Sequence, residues 1–414
     1  MARDRAIFRE AAAGRVGRLI YAAAGVRSLT IGFTGVAFGL FLAALGLGAA
    51  QLGAVVALGL AGNAAGTALV ATYGDGLGRR RALLLVSALS TVGLAVVAVA
   101  ARPAVLGVAA CLGMVNGMGR DRGPAQTVDQ SVLAGLVEAT GRTVVFTRYT
   151  FVQDVSGALG SLAAAIPAVL ATHFGLAAVP AYRWTFCGAA LLSLAPIALY
   201  SRVTEPAPPA LQPAGGPGLG PDSRRRVAGL AGLFALDSLG GGFLAGSILS
   251  YWFFRRYGLG GEALGPVFFT ARVLNAVSYI AAEALARRFG LIRTMVFTHL
   301  PSSALLLALP FVAAPWLAIA LFLARESLVQ MDVPARQSYV AAVTAPGERT
   351  FALGVTSLAR NAGWATGPGF AGAAIATLGL SAPLWAGAGL KMVYDVALYA
   401  SYRTVRPPEE GDAG

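Results

Sequence analysis

Twelve mostly apolar stretches follow one another along the chain. They run over 20–46, 50–73, 81–101, 104–134, 143–172 and 180–201, then 228–254, 261–287, 292–313, 315–343, 350–378 and 381–402. Each is long enough to cross a bilayer as a helix, which takes roughly 20 residues. Between the sixth and seventh lies SRVTEPAPPALQPAGGPGLGPDSRRR, rich in Pro and Gly and closed by three arginines. Such a segment reads as a flexible linker. The pattern predicts an all-α membrane protein with twelve transmembrane helices in two six-helix bundles. It divides the chain into an N-terminal segment (1–19), a first bundle (20–201), a linker (202–227), a second bundle (228–402) and a tail (403–414).

Composition excludes the soluble alternatives. Of 414 residues, 57% are apolar and 12% charged, against about 25% charged in soluble domains. Mean hydropathy is +0.69. So few charges cannot cover a soluble surface, which rules against a soluble enzyme, a nucleic-acid-binding protein and a secreted disulfide scaffold. The net charge of +13 has a membrane explanation instead. Arginines crowd the N-terminus, the 2–3 loop (Arg79, Arg80, Arg81), the linker (Arg202, Arg224, Arg225, Arg226) and the 8–9 loop (Arg287, Arg288, Arg293), while the opposite loops hold few. Basic residues are retained on the cytoplasmic side, so both termini are expected in the cytoplasm, with the first helix an uncleaved anchor in the plasma (inner) membrane. Cys111, Cys187, His173 and His299 stand apart in the sequence. No metal or cofactor is expected.

The two halves repeat. VRSLTIGF (26–33) aligns with LDSLGGGF (236–243) at an offset of 210. At 212, Gly53, Asn63, Gly78 and Pro103 match Gly265, Asn275, Gly290 and Pro315; at 207, Gln130-Ser131 matches Gln337-Ser338 and Gly160 matches Gly367. Steady offsets across separate helices indicate duplication of a six-helix unit, hence pseudo-symmetric bundles. Three ionisable positions change sign in this alignment: Arg27 faces Asp237, Asp75 faces Arg287, and Asp129 faces Arg336. Charges within spans are costly and functional candidates by default. Arg27–Asp237 and others of these opposed charges are expected to meet across the halves and close the cytoplasmic side. Pairing within each half is the plainer alternative.

Twelve spans, two homologous halves and a long central linker resemble the major facilitator superfamily, in a prokaryotic member of unassigned subfamily. That family carries G-x-x-x-D-R-x-G-R-[RK] in the 2–3 loop, and ATYGDGLGRRR (71–81) supplies Asp75, Gly78, Arg79 and Arg80. Ala71 and Gly76 replace the first glycine and the usual arginine; ALARRFGLIRT (284–294), with Arg287 and Gly290, is a degenerate second copy. The resemblance implies that these residues act at a cytoplasmic gate, and that helices 1, 4, 7 and 10 line the substrate path.

On that basis the cavity and coupling candidates are Arg120, Asp121 and Arg122 on helix 4, Asp154 on helix 5, and Arg272 and Asn275 on helix 8. Helix 10 adds Arg325, Glu326 and Asp332, and helix 11 adds Arg360 and Asn361. Proton coupling needs a carboxyl whose affinity for protons alternates between a dry and a cation-paired setting, and Asp237 is the first choice. The expected function is proton-coupled efflux of a small organic or drug-like solute by a monomer. Uptake or exchange of an organic anion through arginines is the alternative. A membrane scaffold or enzyme is a third reading, with no G-x-S-x-G elbow, phosphate loop or metal motif to favour an enzyme.

Overall fold

The computed structural model describes residues 14–137, 142–204, 220–344 and 348–403. Its described residues contain helices and connecting turns, with no strand. Each of the twelve predicted spans is helical over most of its length, and among the described residues eight segments are long and apolar enough to cross a membrane. The first three are single helices: α1 (Arg15–Ala44), α2 (Ala49–Leu77) and α3 (Arg79–Val99). Span 4 is interrupted. It comprises α4 (Pro103–Leu112), a non-helical stretch over 113–123, and α5 (Pro124–Gly135). Proline at the first turn of α4 and α5 suits helix starts, where its missing N–H costs nothing. Span 5 is α6 (Arg142–Leu162) continued by α7 (Ile166–Phe174), and span 6 is α8 (Ala178–Leu192) with α9 (Leu194–Tyr200).

In the second half, span 7 also breaks, at GGGFLAG, into α10 (Pro221–Gly242) and α11 (Gly246–Tyr257). There follow α12 (Gly261–Phe289), α13 (Leu291–Ala308), α14 (Pro315–Val329) with α15 (Asp332–Ala342), α16 (Arg349–Leu378) and α17 (Ala382–Tyr402). The chain forms two compact units, 1–212 with 245–269, and 213–244 with 270–414. The division falls at the break in span 7, so α11 packs with the first unit. There the Ser247 N–H donates to the Gly117 carbonyl at 2.9 Å.

Within each unit the repeat has a packing counterpart. A Cβ on Gly32 would lie 2.0 Å from the Gly157 carbonyl oxygen, and one on Gly160 would lie 1.9 Å from that of Leu29. Helices α1 and α6 therefore touch backbone to backbone. The matched Gly242 and Gly367 do the same in the second unit, where a Cβ on Gly367 would fall 2.4 Å from the Gly242 Cα. Without a hydrophobic force between helices in lipid, such close contact is a main source of association. The loop glycines Gly78 and Gly290, also matched, turn at φ of 89° and 85°, values that side-chain-bearing residues rarely adopt. Large apolar side chains such as Ile280, Phe174, Phe311 and Leu378 are exposed, as a lipid-facing exterior requires.

Candidate functional site

Two buried ionic networks stand at matched places, one in each unit. In the first, α1 delivers Arg27 to a cluster built by the non-helical stretch, α5, α6 and α9. Its Nε donates to Asp121 Oδ2 at 2.7 Å and its Nη2 to Asp129 Oδ2 at 2.9 Å. Nη1 donates to the Tyr200 hydroxyl at 2.5 Å, and Nη2 also to that of Tyr149 at 2.9 Å. Both tyrosines pass on a hydrogen bond to the same Asp129 oxygen, at 2.8 and 3.0 Å. Gln153 donates to Asp121 at 2.9 Å. Asp129 is fully buried, and its second oxygen, Oδ1, has no partner among the described residues. Apolar side chains including Ile20, Leu83, Val128 and Val132 surround the cluster.

The second network centres on Asp237 of α10. Oδ1 accepts from Lys391 Nζ of α17 at 2.7 Å, and Oδ2 from Arg336 Nη1 of α15 at 3.4 Å. Arg336 also donates to Asp332 at 2.7 Å. Lys391 lies 3.4 Å from His299 Nε2, and His299 Nδ1 lies 3.0 Å from both oxygens of Asp395. With Lys391 donating to Nε2, the ring proton sits on Nδ1 and points at Asp395. Asp237, Lys391, His299, Asp395, Asp332 and Arg336 are all buried.

These contacts correct the expected cross-half pairing. Arg27 meets Asp129 and Asp237 meets Arg336, so each sign-inverted pair closes inside its own unit, joining the first and fourth spans of that half. The cause is register. The aligned positions are equivalent, so whatever partners one also stands beside its counterpart with the signs exchanged. The third opposed pair behaves otherwise: exposed Arg287 pairs with Glu283 one turn earlier, and the Asp75 side chain lies outside the described residues. Arg79 donates to the Ser131 carbonyl at 3.4 Å and Arg80 to that of Ser201 at 2.6 Å. The loop arginines thus hold the ends of spans 4 and 6.

The remaining candidates separate. Asp121 joins the first network, while Arg120 and Arg122 flank it in the non-helical stretch. Half-buried Asp154 is hydrogen-bonded to neither network. Arg325, Glu326 and Asn275 form a separate buried set, with Asn275 donating to Glu326 at 3.0 Å and Arg325 to the other Glu326 oxygen. Arg272 stands three residues before Asn275 on α12. Arg360 donates to Ser238, beside Asp237, at 3.2 Å and lies over the Trp364 ring, with Asn361 next to it in the chain. Asn116 and Asn63 serve the backbone. Asn116 Oδ1 accepts from the N–H groups of Met118 and Gly119, and Asn63 donates to the Met114 carbonyl at 2.7 Å.

Sequence reasoning missed Lys391, His299, Asp395, Tyr149 and Tyr200. His299, read as isolated, has a lysine and an aspartate on its two nitrogens. One signal was present: Lys391 is the chain's single lysine and stands four residues before Asp395 inside an apolar span, a spacing that puts both on one helix face.

A helical protein with an apolar exterior and buried charges repeated between two duplicated halves is a multi-pass membrane protein of the transporter kind. The chain matches the Major Facilitator Superfamily over residues 20–330, and it belongs to that family. It is 25% identical to the uncharacterized membrane protein YJR124C of Saccharomyces cerevisiae, over 86% of this chain and 87% of that protein. Its fold resembles the nucleoside transporter NupG (12% identity, 93% of this chain and 98% of that one, TM-score 0.71). It also resembles a D-xylose-proton symporter (16% identity, 92% and 97%, TM-score 0.69).

Proposed function

We propose that the protein is a proton-coupled secondary transporter that exports a small organic solute by alternating access. The observation carrying this reading is the gathering of buried carboxylates around buried cations in the two networks. The first hydrogen-bonded set holds one fixed cation, Arg27, against two carboxylates, Asp121 and Asp129. The second holds Lys391 and Arg336 against Asp237, Asp332 and Asp395, with His299 between. Each set packs two or more carboxylates into a dry interior, and a desolvated carboxylate favours taking up a proton. Asp129 offers its unpartnered Oδ1 for it, and the second set offers Asp395. Rearranging either set as the halves rock changes which carboxylate the cation neutralises, and so whether the proton is held. A proton symporter among the proteins of the same fold supports the coupling.

The anion-uptake alternative draws less support, because Arg27, Arg325 and Arg336 already face carboxylates. The test uses the full chain in proteoliposomes loaded with a pH-sensitive dye, exposed to neutral, cationic and anionic organic solutes. Coupled transport predicts proton movement on adding solutes of one class, reduced in Asp129→Asn and in Asp237→Asn. Solute flux without proton movement overturns the coupling, and no flux for any class overturns transport.

A further inference from the structure

The interrupted fourth span borders a cleft inside the first unit. It lies among spans 1, 3, 4 and 6. Three observations mark it as built for an occupant. The backbone over 113–123 abandons the helix midway along span 4, and residues 113–116 of that stretch form one wall. Non-helical backbone at such a place in a membrane protein is tolerated where it is buried in protein or lines a cavity. Met114 on that wall holds φ at 51°, the one non-glycine among the described residues with positive φ. Such backbone strain persists where surrounding structure enforces it, and it gathers at ligand sites. Lastly Ser87, 6% exposed and on the cleft wall, has a buried Oγ without a partner among the described residues. A buried hydroxyl left unpaired is destabilising, a loss that an occupant's polar atom would recover.

The wall also sets the chemistry. Arg27 is its one ionisable side chain, and its charge is already met by Asp121 and Asp129. Its described hydrogen bonds use four of its five N–H donors, leaving one for an acceptor. Thr30, Thr34, Ser90, Asn116 and Ser193 add polar groups to the lining, and Ile31, Val86, Leu94 and Val115 are aliphatic. We infer that this cleft is a binding site for a small neutral solute carrying hydroxyl or carbonyl groups on an apolar frame. Arg27 would bind an acceptor on the solute, and Ser87 Oγ would pair with its hydroxyl or carbonyl. The site lies within one unit and shares Arg27 with the first ionic network, while its binding test needs no proton movement.

The test uses the purified full-length protein and four probes on one frame: cis-1,2-cyclohexanediol, cyclohexanone, cyclohexanecarboxylate and cyclohexylamine. The inference predicts a saturable rise in unfolding temperature with the diol and the ketone, and none with the two ions. Ser87→Ala should weaken the response about three- to tenfold, the size of one hydrogen bond. Ser90→Leu, which fills the cleft, should abolish it. Each variant is first checked for cooperative unfolding without probe, and Ser90→Val stands in if Ser90→Leu fails that check. Two outcomes overturn the inference: no saturable effect of either neutral probe, as a cleft holding water alone would give, or an undiminished effect in the filled variant. An equal response to the ions overturns the assigned chemistry.

Discussion

The two halves carry the same ion pair with its charges exchanged, yet they surround it differently. In the first half a single guanidinium is the hub. It is held by two carboxylates and two tyrosine hydroxyls, which fixes its plane through four directed hydrogen bonds. In the second half a carboxylate is the hub, and an ammonium and a guanidinium share it. Arginine suits the first arrangement because its donors form a planar fork. Lysine suits the second because a compact ammonium can reach Asp237 and His299 together. Duplication thus preserved the position of a buried pair while leaving each half to build its own neutralising shell.

The difference predicts how each hub fails. Arg27→Leu should be the most damaging single change, costing about 3–5 kcal/mol, because it strands two buried carboxylates. Combining it with Asp129→Leu should recover part of that loss, read by unfolding of the detergent-solubilised protein. Arg27→Leu and Asp237→Leu should instead add to within about 0.5 kcal/mol, as sites without a shared partner do. Strong coupling between those two would restore the cross-half pairing. Lys391→Met should cost less, about 1–3 kcal/mol, since Asp237 keeps Arg336. Lys391→Arg should not restore the loss, because the larger fork does not fit between Asp237 and His299.

Closer packing gives a comparison that should come out equal. Gly160→Ala and Gly367→Ala each force a methyl into a facing backbone, and each should cost about 1–3 kcal/mol. A large disparity would show that the halves do not share this contact. The smallest effect belongs to Glu348. It accepts from the Gly220 N–H at 2.7 Å, joining the starts of α16 and α10. Hydrogen bonds from Ser223 and Gly220 hold its carboxyl below the usual range. A lowered carboxylate contributes stability above its unfolded value and loses it as pH falls through the folded one. Glu348→Gln should therefore lower the unfolding temperature slightly at neutral pH, with the two proteins converging in acid; solvent screening keeps the difference small.

The sequence made the span positions legible because apolar length is a strong signal. The breaks at 113–123 and 243–245 were not, since hydropathy is blind to backbone conformation and the glycines there also serve packing. The alignment located Arg27, Asp129, Asp237 and Arg336, yet could not say which of them touch. Equivalent positions invite a partner across the repeat, while contact depends on helix rotation, which an offset does not encode. Tyr149 and Tyr200 escaped because a tyrosine in an apolar span looks like packing until its hydroxyl is placed. Lys391 and Asp395 escaped because they have no charged counterparts in the other half.

In the proposed mechanism a proton resides among the buried carboxylates of each half. Infrared difference spectroscopy of the reconstituted protein across a pH titration tests it most directly. A protonated-carboxyl band is expected that titrates, loses intensity in Asp129→Asn, and loses the remainder when Asp395→Asn is added. A band absent throughout the titration, or one unchanged in the double variant, would contradict it.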